Sequence, residues 1–186
     1  SRFYEAAENT LGMAPAQYRA GGAGLTMQAA CAPCDLGLVL VATTGRGICA
    51  ILLGDSRADL MRELRARFHA ARIVESQELG SHLRAVAALI KTPALGLSLP
   101  LDVQGTAFQR RVWQELTKIR PGQTSSYQQV AKAIGKPKAA RAVAGAIAAN
   151  PLAVAIPCHR VIGQDGKLHG YRWGLKRKQS LLDREK

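Results

Sequence analysis

The pattern of apolar residues changes at Gly105, and this change limits the folds that are open to the chain. Before Gly105, apolar residues run in short stretches rich in leucine, valine and isoleucine, which is typical of strands. After it, they recur at three- and four-residue intervals, as in amphipathic helices. We therefore expect an α/β (α+β) chain, with a small α/β domain over residues 25–103 and a mainly helical domain over residues 104–186.

The first of these domains contains a predicted hairpin. Two β-rich runs, Leu36–Ala42 and Gly47–Leu53, flank a turn-forming Thr-Thr-Gly-Arg-Gly segment, which favours antiparallel pairing. The run Leu95–Val103 is expected to be the last strand. Two helices are predicted between them, one over residues 81–91 and one capped by Asp55 or Ser56 whose apolar residues lie at helical spacing: Leu60, Leu64 and Phe68.

The second domain contains a predicted helix-turn-helix. An apolar helical stripe is formed by Phe108, Val112, Trp113 and Leu116. The capping-box pattern Ser126-x-x-Gln129 then opens a helix that breaks at Gly135. Pro137 can occupy the first turn of the next helix, Ala139–Ala149, which stops at Asn150 and Pro151. A helix, a four-residue turn and a second helix form a helix-turn-helix.

The second helix of this pair, Ala139–Ala149, is built almost entirely from small residues. Such a thin helix can approach another surface closely, either as a buried helix packed against its neighbours or as an element that enters a DNA groove. Arg141 favours the second interpretation, because an arginine on a compact helix can enter a duplex where a base has left its place.

Charge is distributed unevenly along the chain, whose formal net charge is +13. Residues 1–100 hold 10 Lys and Arg against 8 Asp and Glu, whereas residues 101–186 hold 16 against 5. A basic excess of this kind suits contact with phosphates. Charge alone does not separate DNA from RNA, from an acidic membrane or from an ordinary basic surface.

The cysteines describe neither a disulfide framework nor a complete zinc site. Cys31 and Cys34 form half of a zinc motif with no nearby ligands, so we expect reduced thiols and no metal. Cys49 is predicted to fill a buried strand. No apolar run is long enough to span a membrane and no leader is evident, so we expect a cytoplasmic protein with no membrane partner.

Cys158 lies in the tetrapeptide Pro-Cys-His-Arg, which follows the β-rich run Leu152–Ile156. A thiol becomes nucleophilic only as thiolate, so it needs a base nearby, and His159 and Arg160 are adjacent. In an extended chain neighbouring side chains point to opposite faces. Either the chain turns at this point or a water molecule bridges Cys158 and His159; we predict the water.

Glu185 falls on the apolar face of a predicted C-terminal helix, between Leu181 and Leu182. A carboxylate in that position needs a partner, and the imidazole of His159 would serve. The sequence thus favours a Cys-His-Glu relay. The competing interpretation is a solvated acid at a frayed terminus.

Several motifs in order closely resemble the O6-alkylguanine-DNA alkyltransferase family. They are the Ser126-Tyr-Gln-Gln segment, the Gly135-x-Pro-x-Ala-x-Arg-Ala-Val segment, Asn150-Pro151, Pro157-Cys-His-Arg-Val and Gly170-Tyr-Arg-Trp-Gly. Within this family the chain resembles the C-terminal part of bacterial Ada adaptive-response proteins. Residues 1–20 resemble the end of an AraC-type helix-turn-helix, whose residual tail would extend over residues 1–22. The resemblance implies an RNase-H-like first domain.

This resemblance implies a function for the matching residues. Cys158 would accept a methyl or other alkyl group from O6-alkylguanine, with O4-methylthymine as a further substrate, in one irreversible step. His159 would act as base through water, with Glu185 behind it, and Asn150 would hold the turn before the active-site strand. The expected contacts to DNA and to the flipped base are Tyr127, Gln128, Arg141, Ala142, Gly145, Arg160, Val161, Tyr171 and Arg172.

The resemblance further implies a monomer that binds double-stranded DNA and uses no cofactor. His169 and Trp173 lie where the family often has smaller residues, and Ala153 lies where some members have a second proline. We therefore expect a narrow pocket that favours methyl over bulky alkyl groups. The alternative functions are a non-catalytic DNA lesion sensor, which the presence of Cys158 argues against, a promoter-binding fragment and an unrelated thiol hydrolase.

Overall fold

The computed structural model describes residues 21–186, so the AraC-like resemblance of residues 1–20 lies outside the described residues. Its sheet has four strands in the order β3-β2-β1-β4. Their bounds are β1 Thr26–Cys34, β2 Gly37–Thr44, β3 Gly47–Gly54 and β4 Arg72–Glu75. The predicted hairpin is confirmed as the antiparallel pair β2 and β3.

Strands β1 and β4 were not predicted. β1 is antiparallel to β2, and β4 is parallel to β1. β1 contains a proline and two cysteines, and β4 has only four residues, two of them charged, so neither shows a clear strand pattern. The prediction that Cys49 is buried within a strand is confirmed, since it has no exposed surface in β3.

Both predicted helices of the first half are confirmed. Helix α1 spans Arg57–Arg67, and its N-cap is Ser56 rather than Asp55. The Ser56 side chain accepts a hydrogen bond from the Asp59 amide. Its buried residues Leu60 and Leu64 pack toward β2 and β3. Helix α2, Gly80–Lys91, packs against β1 and β2.

The predicted strand Leu95–Val103 is wrong. Residues Pro93–Leu95 form a 3₁₀ turn, and Gly96 adopts a left-handed conformation with φ of 68°. Only one parallel bridge forms, between Leu101 and Ile48 of β3. Gly96 bends the chain and Pro100 has no N–H to donate, so a longer ladder cannot develop.

The second half is helical, as predicted. Its helices are α3 Ala107–Leu116, α4 Tyr127–Ala133, α5 Ala140–Ala148 and α6 Leu175–Asp183, and a short parallel pair joins β5 Ser125–Ser126 to β6 Val161–Ile162. The predicted stripe of α3 is confirmed, with Val112, Trp113 and Leu116 buried and Phe108 packed against the core. The capping box of Ser126 and Gln129 is confirmed at the start of α4.

The connection between α4 and α5 differs from the prediction. It contains six residues, 134–139, and Pro137 lies before α5 rather than in its first turn. Gly135, with φ of 71°, ends α4. The Gln128 side chain then donates to the Pro137 carbonyl at 2.6 Å, which holds the longer turn in place.

The predicted strand Leu152–Ile156 is also wrong. Leu152 makes a single parallel bridge to Ile51 of β3, after which the chain turns, with Val154 at φ of 65°. This run is apolar because it is buried beside the sheet and not because it belongs to it. The division of the chain at residues 103 and 104 stays a prediction. Among residues 21–186, no helix is long and apolar enough to cross a membrane.

Candidate active site

Cys158 lies in a tight turn rather than on a strand. Residues Cys158–Arg160 form a 3₁₀ turn, so the expectation of an extended chain here is wrong and the chain itself bends between the thiol and His159. The Cys158 side chain is buried, and its amide donates to the Ile156 carbonyl at 2.8 Å. The predicted water between Cys158 and His159 stays a prediction.

Asn150 connects this turn to the thiol. Its side-chain oxygen accepts from the Leu152 amide at 2.9 Å. Its Nδ2 donates to the carbonyls of Leu152 and Ile156, and to Cys158 Sγ at 3.1 Å. Because Asn150 has no exposed surface, these bonds have no competition from solvent. Asn150 therefore fixes the sulfur and the turn around it together.

His159 and Glu185 are in direct contact. His159 Nε2 lies 2.9 Å from Glu185 Oε1, and both side chains are fully buried. Glu185 lies two residues beyond the end of α6, so it reaches His159 from the turn that follows the helix and not from a helical face. His159 Nδ1 is also buried and has no hydrogen-bond partner within residues 21–186, which leaves it as the ring nitrogen that can accept a proton.

Arg160, which the resemblance assigns to DNA contact, is turned into the protein. Its side chain is buried, and its Nε and Nη2 donate to the Glu185 carboxylate at 2.8 to 3.1 Å. Its Nη1 donates to the Ile119 carbonyl at 2.6 Å. Arg160 is thus turned inward, where it holds Glu185 against His159.

The protonation states of these groups follow from burial and hydrogen bonding. Burial raises the pKa of the Cys158 thiol to about 11, although the Asn150 hydrogen bond and the charge of Lys178 oppose the shift. Burial also lowers the pKa of His159. Burial alone would raise the pKa of Glu185, but hydrogen bonds from His159 and Arg160 outweigh it and bring that pKa to about 2. At neutral pH the site holds a thiol, a neutral imidazole and a carboxylate.

Lys178 belongs to this site and was not predicted. Its ammonium group is buried and donates to the carbonyls of Val161 at 2.5 Å, His169 at 3.0 Å and Gly170 at 3.1 Å. Burial lowers its pKa to about 8, while the neighbouring Cys158 opposes the shift. The signal was available in the sequence, since Lys178 lies three residues before buried Leu181 and so shares its helical face.

Two tyrosines lie close to the thiol. Burial, followed by the charge of Cys158, raises the pKa of both Tyr127 and Tyr171. The Tyr127 hydroxyl donates to the His169 carbonyl at 3.0 Å. The Tyr171 ring packs edge-on against buried Trp173, with ring centroids 5.3 Å apart. The structure therefore brings Tyr127 and Tyr171 to the thiol, and Trp173 behind Tyr171.

Helix α5 presents a narrow exposed face. Val143, Ala146 and Ile147 are buried, whereas the predicted contact residues Arg141, Ala142 and Gly145 are exposed. A Cβ atom placed on Gly145 would meet no protein atom within 4 Å. The protein's own packing therefore does not require glycine at this position.

The remaining predicted residues are occupied within the protein. The Val161 carbonyl accepts from Lys178, and Gln128 supports the turn before α5. The Arg172 side chain donates to Glu63 Oε1 at 2.6 Å and to the Ala148 carbonyl at 3.2 Å. Cys31 and Cys34 are free, partly buried thiols of β1.

Comparison with known proteins identifies the family. Residues 107–186 match the family described as 6-O-methylguanine DNA methyltransferase, DNA binding domain. The chain is 54% identical over all its 186 residues to the bifunctional transcriptional activator/DNA repair enzyme Ada of Escherichia coli, of which it covers 52%. It is 41% identical over 129 residues to the inducible methylated-DNA-protein-cysteine methyltransferase of Bacillus subtilis, covering 69% of this chain and 72% of that protein.

A solved structure shows the same fold. The crystal structure of Mycobacterium tuberculosis OGT in complex with DNA is 32% identical, with a TM-score of 0.66, and covers 86% of this chain and 92% of that one. The chain spans about half the length of the Ada relatives that it matches. The shared sequence and fold show that the chain belongs to the 6-O-methylguanine DNA methyltransferase family.

Proposed function

We propose that this protein repairs alkylated DNA by transferring the alkyl group of O6-alkylguanine to Cys158, once per molecule. The observation that carries the proposal is the buried Cys158 thiol, which accepts a hydrogen bond from Asn150. The next residue, His159, is hydrogen-bonded to Glu185 through its Nε2 atom. A nucleophile, a base and a group that orients the base are the parts that nucleophilic catalysis requires. Relatives of this chain are named for the same activity.

The proposed reaction begins with removal of the thiol proton. That proton passes through water to His159 Nδ1, which is possible because the lowered pKa of His159 keeps the ring neutral. The sulfur attacks the alkyl carbon and the bond between that carbon and O6 breaks. Guanine keeps the electron pair, takes up the proton and leaves unmodified. The product at Cys158 is a thioether, which has no ready leaving path, so the protein is consumed.

Access to the alkyl carbon requires the base to leave the duplex. Within stacked DNA a sulfur cannot approach the alkyl carbon in line with its bond to O6. The nucleotide must therefore be flipped out, at a cost of a few kcal/mol that a damaged base pair reduces. We propose that the exposed face of α5 enters the minor groove and that Arg141 takes the vacated place. The exposed Gly145 and Ala142 allow the close approach that a narrow groove demands.

Intact mass measurement tests the proposal. Incubation with duplex DNA containing O6-methylguanine should add one methyl group, and peptide mapping should place it on Cys158. Cys158→Ala should abolish the gain, while Cys34→Ala, which removes a more accessible thiol, should leave it unchanged. Binding of the damaged duplex without any gain in mass would instead favour a lesion sensor, and methylation of Cys31, Cys34 or Cys49 would refute the site.

O4-Methylthymine presents the same kind of oxygen-bound methyl carbon, and we propose it as a second substrate. The same mass measurement with an O4-methylthymine duplex should show Cys158 methylation. Absence of any gain over the time in which the guanine duplex is fully repaired would limit the substrate to guanine.

A further inference from the structure

The C-terminal end of α5 is capped by two arginines from other parts of the chain. Arg67 Nη1 donates to the Ala149 carbonyl at 2.6 Å, and Arg172 Nη1 donates to the Ala148 carbonyl at 3.2 Å. The last carbonyls of a helix lack partners within the helix and carry partial negative charge, so cationic donors are favoured there. Ala149 is the C-cap residue of α5 and keeps right-handed helical backbone, and the two arginines satisfy the carbonyls there.

Both arginines are connected to helix α1, which packs against β2 and β3. Arg67 is the last residue of α1, and Glu63, one turn earlier, accepts a hydrogen bond from Arg172 Nε at 2.6 Å. The Arg172 and Glu63 side chains are 33% and 26% exposed, so the pair is partly shielded from solvent. One face of α1 therefore holds the end of α5, once directly and once through Arg172.

We propose that Glu63 and Arg67 are positioning residues for alkyl transfer from duplex DNA, an inference that rests on the proposed function. They fix the direction of α5 relative to the Cys158 thiol. Helix α5 has nine residues and is about 13 Å long, so a tilt of roughly 10° at its capped end would move its far end by about 2 Å. Arg141 lies near that far end. Displacements of about 1 Å can slow an oriented reaction by about a hundredfold.

The thiol itself is held by other contacts. Asn150 bonds to Leu152, Ile156 and Cys158, and Leu152 is joined to β3 through the hydrogen bonds of Ile51. Loss of the arginine cap should therefore disturb the helix that meets DNA more than the turn that carries the sulfur. A substrate that reaches the thiol without DNA separates these two effects.

The test compares two substrates, a duplex containing O6-methylguanine and O6-methylguanine as the free base, in single-turnover reactions read by intact mass. Arg67→Met, which keeps the side-chain length but removes the donors, should slow transfer from the duplex by about tenfold, as loss of a charge-assisted hydrogen bond implies. Its rate with the free base should stay within about twofold, since α5 plays no part there. Arg67→Lys, which restores a cationic donor, should recover most of the duplex rate.

Arg65→Met is the matched control, because Arg65 is an exposed arginine of the same helix and its loss changes net charge equally. It should leave both rates unchanged. An equal loss in Arg65→Met and Arg67→Met would show that charge alone matters and would overturn the inference. Thermal unfolding must show every variant folded at the assay temperature.

A double-mutant cycle tests whether Glu63 acts through Arg172. Glu63→Ala should slow duplex transfer in the native background and have little further effect in Arg172→Ala. Independent, additive losses would overturn this part of the inference. If the unmodified protein transfers from neither substrate, the proposed function fails first; if it transfers and Arg67→Met keeps the native ratio of the two rates, only the positioning role fails.

Discussion

Cys158 is a thiol in the resting protein, because burial raises its pKa to about 11. Its reactivity is therefore limited by the small fraction of thiolate, and the surrounding hydrogen bonds become important. Asn150 donates directly to Sγ and favours the ionised form, as does the charge of Lys178. These two contacts partly offset the effect of burial on the thiol pKa.

We predict that alkylation of Cys158 by iodoacetamide accelerates by about tenfold per pH unit between pH 7 and pH 10, because the thiolate fraction grows in that proportion below the pKa. Peptide mass spectrometry at a series of pH values would measure the rate at each cysteine. Asn150→Ala should slow Cys158 at every pH in this range without slowing Cys34. A plateau below pH 8 would contradict the raised pKa.

The second prediction concerns the contribution of Glu185 to the free energy of unfolding. Its folded pKa of about 2 lies below the ordinary value of 4.5, so its contribution is complete above about pH 4.5 and is lost as the pH falls through 2. The shift corresponds to about 3 kcal/mol in the free energy of unfolding. Urea unfolding should show that Glu185→Gln costs about that much at pH 7 and much less near pH 2. Equal costs at both pH values would contradict the prediction.

Trp173 makes a third prediction, on the choice of alkyl group. Its buried ring packs edge-on against Tyr171, and we expect it to limit the space available to a substituent. The native protein should react faster with O6-methylguanine than with O6-benzylguanine in the same duplex, and Trp173→Ala should raise the benzyl rate relative to the methyl rate. Comparable methyl and benzyl rates in the native protein would refute the narrow pocket. Circular dichroism must show that the variant is folded.

At the scale of elements, α5 carries the fourth prediction. Gly145 has ordinary helical backbone and open space around it, so Gly145→Ala should stabilise the fold by about 0.5–1 kcal/mol. Gly145→Leu should leave the protein folded but weaken its binding to duplex DNA, because the new side chain lies on the face that is proposed to enter the groove. Fluorescence anisotropy with a labelled duplex would measure the affinity.

Ala88→Leu is the control for added bulk, since Ala88 is exposed on α2, the helix that packs against β1 and β2. It should not change the affinity. Unchanged binding of Gly145→Leu would place DNA on another face of the protein.

Regular elements could be predicted from the sequence where local pattern decides them. Apolar β-rich runs identified β2 and β3, helical spacing identified the helices, and the capping box placed the start of α4 directly after Ser126. Two apolar runs, Leu95–Val103 and Leu152–Ile156, were mistaken for strands, although each makes only one bridge to β3. Their apolar residues include buried ones, such as Leu97 and Leu152, that pack in the core without joining a ladder. Burial alone does not distinguish a strand from an irregular segment packed beside one.

The site could be predicted only in those parts that a local sequence pattern determines. The contact between His159 and Glu185 was anticipated from the apolar face of the last helix, yet the inward position of Arg160 was not, since adjacent sequence positions do not reveal which side chain a tight turn directs inward. The contacts of Arg67 and Arg172 with α5 join residues far apart in the chain, and no local pattern encodes them.

At the scale of the whole molecule, the basic second half makes the fifth prediction. Affinity for undamaged duplex DNA should fall linearly on a plot of log affinity against log salt, with a slope of about −0.9 for each phosphate neutralised. Transfer from the free base should be nearly independent of salt, since no phosphate takes part. Anisotropy and mass measurements from low to physiological salt would test both. A salt-independent affinity would exclude the phosphate contacts.

Both edges of the four-stranded sheet, β3 and β4, are protected from pairing with a strand of another molecule. Along β3, Ile48 and Ile51 already exchange hydrogen bonds with Pro100, Pro151 and their neighbours, so this edge offers few unpaired groups there. On the other side, β4 is only four residues long and carries Arg72 and Glu75. Open strand edges are where chains assemble into aggregates. The irregular segments at Pro100 and Pro151 thus also help to keep the protein from assembling edge to edge with its own copies.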